Sequence, residues 1–177
     1  MSADALARGT GRILTVCLGN ICRSPTAEAA LVEAAAEAGV DLEVASAGTG
    51  DWHLGQPPNP QMRSAASAVG LELRGTAQQV DPELLDWADL VLVMDRSNRT
   101  DVTRIAEAAG VTTPIVLFRR FDPGAEDRDT DRSDEVPDPY GGAVEGFEEV
   151  VRISRRTARA IVGGWPDILN APDEGTA

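Results

Sequence analysis

A chain of 177 residues, 42% hydrophobic and 4% aromatic, suits one domain of ordinary size with a substantial core. Its formal charge of −13 argues against nucleic acid or an anionic membrane as a partner, so any phosphate site must supply its own local positive field. Two cysteines, Cys17 and Cys22, are too few for a structural zinc site or a secreted disulfide framework.

Residues 1–10 read as a flexible extension, 11–168 as a single domain and 169–177 as a flexible tail. The opening Met1-Ser2-Ala3-Asp4 lacks the basic and apolar regions of a secretory signal, and no apolar run approaches spanning length. A cytoplasmic setting is therefore expected. Short β-branched runs predict buried strands at 12–17, 42–46, 89–94 and 114–118. Helices are predicted between and after them. The first, 25–38, places Ala27, Ala30, Leu31, Ala34 and Ala38 on one face and ends at Gly39. Shorter pieces follow at 60–69 and 82–87. A helix over 98–109, capped by Ser97, buries Val102, Ile105, Ala106 and Ala109 and stops at Gly110. The last helix, 143–162, turns Phe147, Val150, Val151, Ser154, Ala158 and Ile161 to the core and Glu148, Arg152, Arg155, Arg156 and Arg159 to water. Between the last strand and this helix, residues 122–138 are dense in acid, and 127–135 read as a solvated excursion. Strand–helix alternation implies right-handed βαβ units. The expected fold is α/β, a three-layer sandwich with a four-stranded parallel sheet flanked by helices, flavodoxin-like.

Ligands in such sheets bind beyond the carboxyl ends of the strands. There the first strand runs into Cys17-Leu18-Gly19-Asn20-Ile21-Cys22-Arg23-Ser24-Pro25. Loop N–H groups and a helix N-terminus would converge on one anion, with Pro25 tolerated in the first turn. In that positive field Cys17 favours its thiolate form. Arg23 adds a planar fork that can hold two phosphate oxygens. A thiolate facing a cradled phosphate is a phosphoryl-transfer nucleophile.

The string C-L-G-N-I-C-R-S-P resembles the signature of the low-molecular-weight protein tyrosine phosphatases. Further motifs continue the resemblance in order: Ser46-Ala47-Gly48-Thr49 with Asp51-Trp52-His53, then Met94-Asp95-Arg96-Ser97-Asn98, Asp138-Pro139-Tyr140, and Phe147-Glu148-Glu149-Val150. Together they span 12–162. The resemblance implies Cys17 as the nucleophile that forms a phosphocysteine. Arg23 and the N–H groups of Leu18, Gly19, Asn20, Ile21, Cys22 and Arg23 become the phosphate ligands. Asp138 becomes the general acid, and Asp134 is the next acid in line. It also implies that Ser24 hydrogen-bonds the sulfur and that Asn20 holds an unusual backbone conformation tied to Ser46. Trp52 and Tyr140 would wall the cleft. Cys22 would trap an oxidised Cys17 as a disulfide, against the plainer reading that it fills space. Asp95 is expected to be a structural acid beside the loop. Trp87 and Trp165 read as packing residues, and His53, without a partner motif, as structural.

No metal and no cofactor are implied. The implied partners are phosphotyrosine proteins and a counteracting tyrosine kinase, with no nucleic acid or membrane, and the chain is expected to be a monomer. Three departures matter. Gly141 stands where many members have a second tyrosine. A histidine frequent near 73–76 is replaced by Leu73-Arg74-Gly75-Thr76. Relatives that act on phosphoarginine carry threonine at the position of Ile21, whose apolar surface suits a phenyl ring instead. Protein arginine phosphatase therefore stays open as an alternative. So does thiol-coupled arsenate reductase, although no cysteine follows Cys22 to resolve it. A phosphoprotein-binding module is the third, disfavoured because nucleophile and acid are both present. The acid-rich 122–138 stretch is expected to disfavour acidic peptides.

Overall fold

The computed structural model describes residues 10–125 and 134–170. Of the expected N-terminal extension (1–10), solvated excursion (127–135) and tail (169–177), residues 1–9, 127–133 and 171–177 lie outside the described residues. Among the described residues no helix is long and apolar enough to cross a membrane.

Strand β1 (Gly11–Cys17) lies at the centre of a four-stranded sheet, with β2 (Leu42–Gly48) on one side and β3 (Leu90–Val93) then β4 (Ile115–Leu117) on the other. All pairings are parallel, with Cys17 registered against Gly48 and Val16 against Val93. The sheet is the expected one. Strand β2 runs two residues further than its apolar run suggests, because its ladder to β1 continues through Ala47 and Gly48.

Alternation along the strands sorts the core into two layers. On one face Ile13, Cys17, Leu90 and Leu92 pack with helices α1 (Arg23–Ala38), α2 (Pro60–Ser67) and α5 (Val144–Gly163). On the other, Leu14, Val16, Val91 and Val93 pack with Leu85 of α3 (Pro82–Trp87) and with Val102 and Ala106 of α4 (Arg96–Ala109). This is the expected three-layer sandwich. Short 3₁₀ turns follow β4 (Phe118–Phe121) and α5 (Asp167–Asn170).

Several local expectations are corrected. Helix α1 begins at Arg23, two residues before the predicted start, with Cys22 at the N-cap position and no side-chain cap. Its first turn is thus continuous with the loop that begins at Cys17. Ala35 rather than the exposed Ala38 completes its buried face. Helix α4 is capped by Asp95, whose Oδ1 accepts from Asn98 N at 2.7 Å, and Ser97 lies inside the helix. Ala109, in the last turn of α4, is exposed. On α5, Arg155 and Arg156 do not simply face water. Arg155 grips Glu33 of α1 at 2.6 and 2.8 Å, and Arg156 grips the buried Asp122. Trp165 packs over Gly11, where a Cβ would lie 2.2 Å from the indole. Trp87 lies under the Arg12 guanidinium, 5.7 Å from its ring centroid.

Candidate active site

Strand β1 and helix α1 are joined by five residues, 18–22, so the loop must reverse direction tightly. Asn20 supplies the turn with φ +53°, in the left-handed region that asparagine tolerates better than most residues. Its side chain then locks the turn from behind. Asn20 Nδ2 donates to Ser24 Oγ and to Ser46 Oγ, both at 2.9 Å, while Asn20 Oδ1 accepts from Gln78 N at 2.9 Å. Gln78 also donates through Nε2 to Ser46 O. Gly48 is required beside this turn, because a Cβ there would approach Leu18 O to 2.7 Å.

The sulfur of Cys17 sits inside the turn, 3.1 Å from Ser24 Oγ and 3.3 Å from Asn20 N, which donates to it. Both residues are almost fully buried. An N–H aimed at a buried sulfur stabilises negative charge on it. The loop N–H groups of Gly19, Ile21 and Cys22 donate to no backbone carbonyl among the described residues. N–H donors of this kind, at the start of an uncapped helix, can cradle an anion.

Arg23 is 4% exposed and reaches across the mouth of the loop. Its Nη1 donates to Asp95 Oδ2 at 2.6 Å and to Val136 O at 3.3 Å, and its Nη2 donates to Asp138 Oδ2 at 3.1 Å. Burial works against the Arg23 charge. The Cys17 sulfur, Asp138 and Asp95 more than offset that, so the guanidinium is held more firmly protonated than usual. Cys22 is pushed up to about 12, first by burial and then by the charges of Cys17 and Asp138, with Arg23 pulling the other way. It therefore stays a thiol at neutral pH.

These groups open into one cavity of about 140 Å³, lined by Cys17, Arg23, Ile21, Trp52, His53, Asp138 and Tyr140 among others. Trp52 and Tyr140 are 68% and 61% exposed and stand at its rim. Ile21, 7% exposed, gives an apolar patch beside the loop. Leu18 is partly exposed, and its carbonyl accepts from Gly50 N, which ties the Trp52 segment to the loop. Asp134, the alternative acid, pairs with Arg96 at 3.0 Å and does not line this cavity.

Three residues here are additions to the sequence reading. His53 is a cleft residue: its ring lies over Gly19, its Nδ1 meets Gln56 Oε1 at 3.0 Å, and its centroid is 6.2 Å from that of Tyr140. Only its place beside Trp52 hinted at this. Gln78 supplies hydrogen bonds behind the loop in a chain that lacks the histidine frequent near 73–76. Glu28, one turn along α1, has a carboxyl raised by burial and partly lowered again by a hydrogen bond from Ser46. Among the described residues no group of three or more His, Cys, Asp or Glu could hold a metal ion.

The family model of the low molecular weight phosphotyrosine protein phosphatases matches residues 12–163. A low molecular weight protein-tyrosine-phosphatase of Streptomyces coelicolor is 36% identical over 146 residues, 81% of this chain and 87% of its own. Among solved structures, YfkJ of Bacillus subtilis superposes with a TM-score of 0.74 at 32% identity, covering 88% of this chain and 94% of its own. Vibrio vulnificus Wzb, solved in complex with benzylphosphonate, gives 0.72 at 28% identity, covering 88% and 99%. A match along nearly the whole sheet, in sequence and in fold, places this chain in the low-molecular-weight protein tyrosine phosphatase family.

Proposed function

We propose that this chain hydrolyses phosphotyrosine in proteins by two displacements at phosphorus, with Cys17, Arg23 and Asp138 as its catalytic residues. One observation carries the reading: a buried sulfur with the Asn20 N–H aimed at it, a guanidinium and a carboxyl group meet in one aromatic-rimmed cavity. In the first step the Cys17 thiolate attacks phosphorus and the bond to the phenolic oxygen breaks. Asp138 gives its proton to that oxygen. In the second, water attacks the phosphocysteine, Asp138 takes its proton, and the P–S bond breaks to release phosphate and the thiolate. Arg23 and the N–H groups of residues 18–23 hold the three equatorial oxygens in both steps. Trp52 and Tyr140 flank the aryl ring, consistent with the benzylphosphonate held by the Vibrio relative.

Replacing Asp138 by asparagine tests the acid. We expect kcat/KM for phenyl phosphate to fall about 10²-fold, and for p-nitrophenyl phosphate far less, because a weakly basic phenolate departs without a proton. Equal losses for both substrates would move the acid elsewhere. Ile21 tests the substrate class. Ile21→Thr is expected to lower the kcat/KM ratio of phosphotyrosine over phosphoarginine peptides by about tenfold, since a lost apolar contact is worth that much. A wild-type preference for phosphoarginine would overturn the assignment.

Cys22, buried in the same loop, is suited to trap an oxidised Cys17. Its protonated state keeps it from competing as nucleophile in the reduced enzyme. A nucleophile that must stay reduced fits the cytoplasm. A tyrosine kinase must supply the phosphotyrosine that such an enzyme consumes.

A further inference from the structure

The acid Asp138 stands at the end of the segment that begins at Asp122, and both ends of that segment are tied to one ion cluster built around the Asp122 carboxylate. Asp122 is 2% exposed. Its Oδ1 accepts from Gly124 N at 2.9 Å and from Arg156 Nε at 2.5 Å. Its Oδ2 accepts from Arg156 Nη2 at 2.7 Å and from Arg119 Nε at 3.3 Å. Burial pushes the Asp122 carboxyl up, but the hydrogen bonds and charge of Arg156, the Gly124 N–H and Arg119 hold it below its ordinary value. It is an anion at neutral pH.

Arg119 has a second partner. Its Nη1 donates to Glu135 O at 3.1 Å, thirteen positions beyond Asp122 and three before Asp138. From Glu135 the chain enters the cleft directly. Val136, 1% exposed, donates its N–H to Met94 O and accepts at its carbonyl from Arg23. The Glu135 side chain accepts from Arg96 N at 3.0 Å. Backbone pins on two successive residues thus fix where the chain leaves towards Asp138. One of them, the Arg119 bond, reaches back through Asp122 to helix α5. Gly124 permits the close approach, since a Cβ there would lie 2.5 Å from the Arg156 guanidinium carbon.

We propose that Arg119, held by Asp122, is a positioning residue for the general acid: it pins the Glu135 carbonyl and so sets the reach of Asp138 into the cleft. This rests on Asp138 being the acid. Arg119 does not line the cavity, so its effect must pass through the backbone of 135–138. A carboxyl misplaced by about 1 Å transfers its proton poorly, and such displacements cost up to about 10²-fold. A role confined to stability would slow every substrate alike.

The test measures kcat/KM for phenyl phosphate and p-nitrophenyl phosphate in the full chain, with thermal unfolding alongside. Arg119→Met is expected to slow phenyl phosphate about tenfold while p-nitrophenyl phosphate changes less than about threefold. Arg119→Lys keeps the charge beside Asp122 and a donor toward Glu135, and is expected to fall between the two. It also serves as the informative variant if Arg119→Met does not fold. Asp138→Asn is the control and the double variant the decisive arm, because once the acid is gone, losing Arg119 should add no further leaving-group dependence. If Asp138→Asn shows no such dependence, the assignment of the acid fails. If it does, but Arg119→Met and Arg119→Lys slow both substrates equally, the positioning role is overturned.

Discussion

Cys17→Ser is expected to lower turnover of p-nitrophenyl phosphate by about 10⁵-fold or more, on the scale seen when a hydrolase loses its nucleophile. The reason lies in what surrounds residue 17. Ser24 Oγ and Asn20 N are the polar groups within hydrogen-bond distance of the sulfur, and neither can take a proton from a serine hydroxyl. Asp138 is engaged with Arg23 and with Tyr140 N. A serine at this position would therefore keep its proton and stay a poor nucleophile. The cradle itself is untouched, because its donors are backbone groups and Arg23. Phosphate binding, followed by inhibitor displacement or calorimetry, is accordingly expected to stay within about threefold of wild type. The pair of outcomes separates a catalyst from a phosphoprotein-binding module. Turnover by the serine variant within tenfold of wild type would sink the covalent mechanism.

What could be read in the residues depended on how far apart the partners lie along the chain. Cys17, Asn20, Arg23 and Ser24 fall within eight positions, and a strand and a helix on either side fix their geometry, so spacing alone indicated an anion site with a sulfur in it. The sheet was legible for a similar reason: each strand is a short apolar run between helical periods. Partners at long range were harder. Gln78 meets Asn20 from 58 positions away, through its backbone N–H, which carries no residue-specific signal. Asp95 was recognisable as an acid beside the loop. Its double duty, capping α4 with one oxygen and holding Arg23 with the other, appears only when β3 is placed next to β1. The same economy explains why Ser97 was the wrong cap. Serine and aspartate are about equally good at that position, and the tertiary bond to Arg23 decides between them. Arg155 and Arg156 show the opposite error. Helical periodicity puts them on the polar face, and it cannot reveal that Glu33 and Asp122 have been brought up against that face.

Arg23→Lys separates the charge of the cleft from its geometry, and the geometry is expected to matter more. A lysine ammonium carries the same charge but no planar fork. It cannot reproduce the three donations that Arg23 makes to Asp95, Val136 O and Asp138. Those bonds fix both terminal nitrogens of the guanidinium. In the mechanism proposed above, an incoming phosphate would take Nη2 from Asp138 while Nη1 keeps Asp95 as its anchor. That exchange would give the phosphoryl group a donor of fixed direction and free Asp138 to face the leaving oxygen. Lysine has no second nitrogen to reach the phosphoryl group while the first stays on Asp95, so we expect kcat/KM for phenyl phosphate to fall by about 10²- to 10³-fold, the range for losing a preorganised transition-state donor. The variant should remain folded, because a cation still faces Asp95. Arg23→Ala would leave that carboxylate, 21% exposed, without its partner and should be less stable than Arg23→Lys in thermal unfolding. A lysine variant within about fivefold of wild-type kcat/KM would mean that the loop N–H groups alone carry the transition-state charge. The grip of Asp95 on Arg23 would then serve the fold rather than the chemistry.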